Sequence, residues 1–308
     1  MATDATKPEK QLDQVREIHE LKCLEVWGGS SSADHAASVP GLDIGVSARP
    51  YGQSDEGGDL YLISSCSSGW ISRLLLADVS GHGDDVSGLS GKLRKAMHQS
   101  INTVDQSKLA RRLNNAFDEF SEGSKFATAL LMTYYAPSGH LIFINAGHPP
   151  PLLSKDGGRS WISMDQDAPG VLTQPTSQLR VGIKNLPLGV IRSTEYEQLA
   201  IKIGPGDLVC AYTDGYIEAQ DVEGRLLGVE GLKGVLSSVS QEMDGEAHSE
   251  LSVRVMDEIT ASGYTLADDD HTMLSFVRTD EGVPSVGIPT IANLLKNGFG
   301  LGHTDTVV

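Results

Sequence analysis

The chain has 308 residues, 39% hydrophobic and 21% charged, enough for a sizeable core in one large domain with extensions or in two small ones. Its 41 acidic against 24 basic residues leave a net charge of −17, which argues against a nucleic-acid backbone or an anionic membrane surface as the main partner. Cys23, Cys66 and Cys210 give neither a disulfide framework nor a zinc spacing, the start has no signal-peptide pattern, and no apolar run reaches membrane-span length. A soluble, cytoplasmic protein with reduced thiols is the expectation.

Residues 1–8 are small and polar, end at Pro8, and read as disordered. Leu12, Val15, Ile18 and Leu21 recur on one side and predict a helix over Glu9–Val26, stopped by Gly28-Gly29. That helix either packs on its own domain or serves a homodimer. From Leu42 the pattern turns strand-rich, with strands expected at Ile44–Ala48, Leu60–Ser64 and Ile71–Ala77. After Gly83 the period changes. Val86, Leu89, Leu93, Met97 and Ile101 fall at helical spacing, and a second helix carries Leu109, Leu113, Phe117 and Phe120.

Strands return at Ala129–Tyr135 and His140–Asn145 around the turn Pro137-Ser138-Gly139. The stretch from Gly157 to Arg180 is polar and weakly patterned. Leu199–Ile203 and Leu208–Tyr212 flank Gly204-Pro205-Gly206, a helix is expected over Gly245–Ile259, and Met273–Val277 reads as the last strand. Beyond Arg278 the chain is rich in Gly, Pro and Thr, with one short apolar piece at Ile291–Leu295. Tandem hairpins with helices in two blocks predict the α+β class with antiparallel sheets.

Three acidic signatures mark the ends of these strands: Asp78-Val79-Ser80-Gly81-His82-Gly83, Tyr212-Thr213-Asp214-Gly215 with Glu218 beyond it, and Asp268-Asp269-Asp270-His271-Thr272. Gly57-Gly58-Asp59 adds a fourth carboxylate at a strand start. Carboxylates gathered at strand ends suit hard divalent cations, which take oxygen ligands. Each motif also has a plainer reading. Asp78 serves equally as a helix cap, Asp214 as an Asx-turn, and the Asp run as a solvated charge block. His148, in the turn Asn145-Ala146-Gly147-His148-Pro149, reads as a hydrogen-bonded turn residue rather than a ligand. No GxSxG elbow, P-loop or HExxH is present.

Taken in order, Gly57-Gly58-Asp59, Asp78-Val79-Ser80-Gly81-His82-Gly83, Phe126-Ala127-Thr128-Ala129-Leu130, Asn145-Ala146-Gly147-His148-Pro149, Leu186-Pro187-Leu188-Gly189, Tyr212-Thr213-Asp214-Gly215 and Asp269-Asp270-His271-Thr272 are a specific set. Over residues 42–278 the chain resembles the SpoIIE branch of the metal-dependent (PPM-type) serine/threonine protein phosphatases. The resemblance divides the chain into an N-terminal helix and linker (1–41), the phosphatase domain (42–278) and a flexible tail (279–308). It implies a four-layer α-β-β-α sandwich of two antiparallel sheets flanked by helices, with a two-metal Mn²⁺ or Mg²⁺ centre at one edge.

Carried over residue by residue, Asp78, Asp214 and Asp269 are the catalytic carboxylates. Asp78 would bridge both metals with the Val79 carbonyl beside it, and Asp214 and Asp269 would complete the first metal's set. Asp59 would serve the second metal through water, and Glu218 matches a position that holds a third, looser ion. The implied reaction is in-line attack on phosphorus by a water acidified by the two cations, without a phosphoenzyme. The implied substrate is a phosphoserine or phosphothreonine protein, an anti-sigma-factor antagonist being the partner class; the alternative is a catalytically inactive binding module on the same fold. The helices over Val86–Phe120 match the family's regulatory pair. The chain departs from the family at Leu62, where a second acid is common, and at Ser80, where eukaryotic relatives carry a His, so the general acid has no assignment. The stretch 154–185 is longer than the family pattern and reads as a substrate-facing flap or an insertion.

Overall fold

A computed structural model describes residues 18–284 apart from 53, 67–68, 82–83, 101–102, 104, 122–124, 174–182 and 244–247. The chain begins with β1 (Ile18–Glu20), β2 (Val26–Ser31), β3 (Ala33–Val39) and β4 (Leu42–Arg49). Next come β5 (Glu56–Cys66), β6 (Ile71–Val79) and two helices, α1 (Asp84–Gln99) and α2 (Gln106–Ser121). A run of strands follows: β7 (Ala127–Tyr135), β8 (His140–Ala146), β9 (Leu152–Ser154), β10 (Ile162–Ser163), β11 (Leu172–Thr173), β12 (Leu199–Lys202) and β13 (Leu208–Tyr212). The last elements are α3 (Gly228–Glu242), α4 (Leu251–Ala261) and β14 (His271–Arg278).

The strands form two seven-stranded sheets. The first runs β1-β3-β4-β14-β13-β9-β10 and the second β11-β12-β8-β7-β6-β5-β2. Every pairing is antiparallel except the edge pair β1 and β3, which is parallel. Alternation along the strands sorts the side chains into layers. In β6, Leu74 and Leu76 meet Leu42, Ile44 and Val46 of β4 and Leu274 and Phe276 of β14 between the sheets. Leu75, Ala77 and Val79 face outward against Val86, Leu89 and Leu93 of α1 and Leu113 and Phe117 of α2. On the far side, Leu232, Leu236 and Val239 of α3 and Val255 and Ile259 of α4 cover Leu208, Cys210 and Tyr212. The order of layers is therefore α-β-β-α, as expected. Each fully buried Leu, Ile or Phe in these layers contributes about 1.5–3 kcal/mol.

One expectation is corrected. The helix over Glu9–Val26 is absent from its described part, where residues 18–20 and 26–31 are strands of the two sheets, so the sheets take in chain ahead of residue 42. The physical reason is the pairing available to these residues. Val26–Gly29 find a continuous ladder on Ser64–Tyr61 of β5, and Ile18–Glu20 pair with Ala36–Ser38. Tertiary pairing overrides a local helical period. The stretch 154–173, which belongs to the expected flap or insertion, packs into the sandwich. Trp161 and Met164 are buried, the Trp161 Nε1–H donates to the Gly158 carbonyl at 3.1 Å, and the segment passes from β9 and β10 in the first sheet to β11 in the second.

Residues 1–17, His82, Ile101, residues 174–182 and the tail beyond 284 lie outside the described residues. Cys23 and Cys210 are free thiols. Among the described residues, no helix is long and apolar enough to cross a membrane.

Candidate metal centre

Four strand ends meet at one edge of the sandwich: the start of β5, the end of β6, the end of β13 and the start of β14. Asp59 and Asp78 are cross-strand partners in the β5–β6 ladder. By strand parity both lie on the inner face, with Tyr61 and Ile63 on β5 and Leu74 and Leu76 on β6. From the opposite sheet, Thr213 continues the inward set Val209 and Ala211, and Asp270 the inward set Leu274 and Phe276. The two sheets thus deliver carboxylates to each other across the end of the core.

The contacts across this edge are specific. Thr213 Oγ1 donates to Asp59 Oδ2 at 2.8 Å and accepts the Thr272 N–H at 2.9 Å. Asp270, 5% exposed, is a clamp rather than a free ligand. Its Oδ1 accepts the Tyr51 N–H and its Oδ2 the Gly58 N–H, both at 2.6 Å. That clamp explains two glycines. A Cβ on Gly57 would stand 2.5 Å from Asp270 Oδ1, and a Cβ on Gly215 would stand 2.5 Å from the Asp270 carbonyl. Behind Gly58, the buried Ser90 of α1 donates to its carbonyl at 3.2 Å, tying α1 to the segment that carries Asp59.

Asp214 opens a short 3₁₀ turn, Asp214–Tyr216, and its carbonyl accepts the Glu218 N–H at 3.0 Å. This turn brings Glu218, exposed at the rim, to the same side as Asp214. The Val79 carbonyl faces Gly58, 2.9 Å from where a Cβ there would be. Electrostatics joins these residues into one group. Burial pushes Asp78 up to about 7, and the negative charges of Asp214, Asp269, Asp270 and Glu218 add to the shift. Asp59 is raised well above its ordinary value by burial first, then by Asp78 and Asp270, while the Thr213 hydroxyl pulls the other way. Asp214 is raised by burial and by Asp269, and Glu218 by burial, Asp214 and Asp269.

This donor set fits a divalent cation. All the side-chain donors are hard oxygens, and burial together with mutual repulsion holds Asp59, Asp78, Asp214 and Glu218 away from their ionised forms, a cost that a cation would offset. Among the described residues no three His, Cys, Asp or Glu side chains converge closely enough to form a complete ligand set by themselves.

The structure also separates ligand candidates from structural residues. His148 is buried, its Nδ1 lies 2.8 Å from Thr128 Oγ1, and burial pushes it down to about 3, so it is a neutral turn residue as expected. Asn145 closes that turn by accepting the His148 N–H at 2.8 Å and donating to its carbonyl at 2.7 Å. Leu188 exchanges backbone bonds with Ala127, and Asn114 of α2 accepts the Gly189 N–H while donating to the carbonyl of Ile191 at 3.0 Å. The motifs without carboxylates therefore brace the strands that carry the carboxylates. Sequence reasoning did not single out Thr213 or Asp270 for these positioning contacts. The usable signal was strand parity, since residue 213 continues the inward set of β13.

A family model described as stage II sporulation protein E (SpoIIE) matches residues 71–279. Among solved structures, the RsbU and RsbW domains of a Mycobacterium tuberculosis protein are 21% identical, with 88% of this chain and 71% of that chain covered and a TM-score of 0.61. The PP2C phosphatase domain of SpoIIE from Bacillus subtilis, with a fragment of its regulatory domain, is 16% identical over 77% of this chain and 62% of that one, at a TM-score of 0.56. RsbX in complex with magnesium is 14% identical over 80% of this chain and all (100%) of that one, at 0.55. At these identities the likeness is one of fold.

Proposed function

The chain belongs to the SpoIIE family, and on that premise we propose that it is a metal-dependent phosphatase acting on phosphoserine and phosphothreonine of a regulatory partner protein. The observation that carries this reading is the like-charged pair Asp59 and Asp78, opposed in register, Asp59 buried and Asp78 partly so, with Asp214, Asp269 and Glu218 acting on the same neighbourhood. A fold kept for binding alone has no use for such a cluster, which costs stability unless cations occupy it.

In this reading Asp78, Asp214 and Asp269 hold one divalent cation. Asp78, the Val79 carbonyl and Asp59 serve a second, and Glu218 sits at the rim for a third, looser one. Mn²⁺ or Mg²⁺ bound there would acidify a water and offset charge on phosphoryl oxygens. The chain's own task is placement. Asp270 fixes the start of β5, Thr213 orients Asp59, and the 3₁₀ turn sets Asp214 relative to Glu218. The likeness to a chain carrying RsbU and RsbW domains supports a regulatory protein as substrate, and an anti-sigma-factor antagonist is the finer expectation.

The test is hydrolysis of para-nitrophenyl phosphate and of a phosphothreonine peptide by purified protein, with Mn²⁺, with EDTA, and in Asp78→Ala and Asp214→Ala. Turnover that needs Mn²⁺ and disappears in both variants is expected. Turnover that persists in EDTA or in either variant would refute the two-metal reading. Silence under every metal condition with the fold intact would leave the inactive binding module.

A further inference from the structure

The cluster of carboxylates poses a problem for its own substrate. A phosphoryl group arrives with negative charge, and without the looser third ion the two divalent cations of that reading offset only four of the six carboxylate charges of Asp59, Asp78, Asp214, Glu218, Asp269 and Asp270. A cation from the protein at the rim would relieve this, and the structure offers one. The Lys125 Nζ lies over the loop that leads out of Asp78, 2.5 Å from where a Cβ on Gly81 would be.

Its position is fixed by backbone. The Ser80 N–H donates to the Phe126 carbonyl at 2.9 Å, and the Phe126 N–H donates back to Ser80 Oγ at 3.1 Å. One step further in, Val79 pairs with Ala127 and Asp78 with Thr128 in the β6–β7 ladder. Lys125-Phe126 is thus clamped to the residues next to Asp78. Among the described residues no carboxylate pairs with Lys125. The charges that act most on Asp78 are all negative, and Lys125 is not among them. Beside it Phe126 is 45% exposed, and Val190, next to the Gly189 that packs on the Lys125 carbonyl, is 46% exposed.

We propose that Lys125 anchors the substrate, its ammonium donating to a non-reacting oxygen of the phosphoryl group, while Phe126 offers the peptide an apolar contact. The proposal rests on the phosphatase reading and names how that site takes a phosphopeptide. A lysine suits this role as a compact point charge, and a charge-assisted hydrogen bond of this kind is worth about tenfold to a hundredfold in affinity.

The experiment compares the wild type, Lys125→Met, Lys125→Arg and Phe126→Ala, with circular dichroism to confirm each fold. Calorimetry measures binding of Mn²⁺ alone and then of inorganic phosphate to Mg²⁺-loaded protein. Steady-state kinetics gives KM and kcat for a phosphothreonine peptide and for para-nitrophenyl phosphate. Lys125→Met is expected to weaken phosphate binding and raise both KM values about tenfold or more, to leave Mn²⁺ affinity unchanged, and to be largely rescued by Arg. Phe126→Ala is expected to raise KM for the peptide alone. Phosphate affinity and KM in Lys125→Met within about twofold of wild type would overturn the proposal while leaving the phosphatase reading intact. A wild type that binds phosphate through Lys125 without hydrolysing either substrate would uphold the anchor and sink the phosphatase reading. A loaded wild type that neither binds phosphate nor turns over would overturn both.

Discussion

Asp59 and Asp78 stand directly opposite one another across β5 and β6, on the face that looks between the sheets. Like charges in that relation destabilise a sheet, and burial adds to the cost. The pair persists because the contacts around it leave it little freedom. Thr213 holds Asp59 from the opposite sheet, and Asp270 holds the backbone that precedes it. A folded chain that keeps such a pair is less stable in the absence of a cation than it need be, a trade common at functional sites.

Removing one charge of the pair should therefore stabilise the metal-free protein. Asp78→Asn is expected to raise stability in EDTA by about 1–4 kcal/mol at neutral pH, read by urea denaturation. The sign with pH follows from the raised value of Asp78, from 3.8 to about 7. Between those values the folded state holds a proton that the unfolded chain has released. Stability in EDTA is then complete below the ordinary value and falls as pH rises toward neutrality. Wild type should lose stability from about pH 4 to about pH 7 and Asp78→Asn should lose less of it. A variant with the same slope as wild type would show that Asp78 is not the group responsible.

Gly57 is held free of a side chain by the Asp270 carboxylate. Gly57→Ala should push that clamp aside, costing about 1–3 kcal/mol as overpacking does, and should disturb the site more than the fold. The thermal shift produced by Mn²⁺ reports this, since a ligand that binds only the folded state raises Tm with its affinity. A variant with unchanged Mn²⁺ shift would argue that the clamp does not set the ligand positions.

What the sequence made legible follows from how local each signal is. The central strands β4 to β8 and the two helices between them show plain periods of two and 3.6, so their layers and the strand-end carboxylates were readable together. Gly28-Gly29 has the local signature of a helix stop. In the fold Gly28 lies in β2 with φ +124, where a Cβ would meet the Tyr61 carbonyl at 2.3 Å, and the register slips between Gly29 and Ser31. Glycine inside a strand marks close approach or a bulge, but only the partner strand reveals it. Helix α3 went unread because Gly228, Gly231 and Gly234 dilute its composition, although Leu232, Val235, Leu236 and Val239 keep the helical spacing and are all buried. The clamp by Asp270 joins residues more than two hundred positions apart, and no local pattern carries it.

Asn114 ties α2 to the loop after Leu188 through three hydrogen bonds, to Gly189, Ile191 and Arg192. Asn114→Ala would leave one buried N–H and two carbonyls to find other partners, with an expected loss of about 2–4 kcal/mol. Chemical denaturation measures it. Because that loop pairs with Ala127, close to Phe126 and Ser80, the KM for a phosphopeptide should rise in the same variant. An unchanged KM at reduced stability would confine Asn114 to folding.

Thr213 joins the two sheets at the centre itself, donating to Asp59 and accepting from the Thr272 N–H. Thr213→Val keeps the shape and removes both bonds, so it separates orientation from packing. The buried Thr272 N–H loses an acceptor, which costs about 1–3 kcal/mol. Without the hydroxyl Asp59 also loses the contact that favours its ionised form, so its protonation rises further above the ordinary value. An orienting partner of this kind is typically worth about 10–100-fold in metal affinity. Calorimetric titration with Mn²⁺ should show that loss in Thr213→Val and its recovery in Thr213→Ser, which restores the hydroxyl. Equal Mn²⁺ affinity in all three proteins would place Asp59 outside the ligand set and leave the second cation to Asp78 and the Val79 carbonyl.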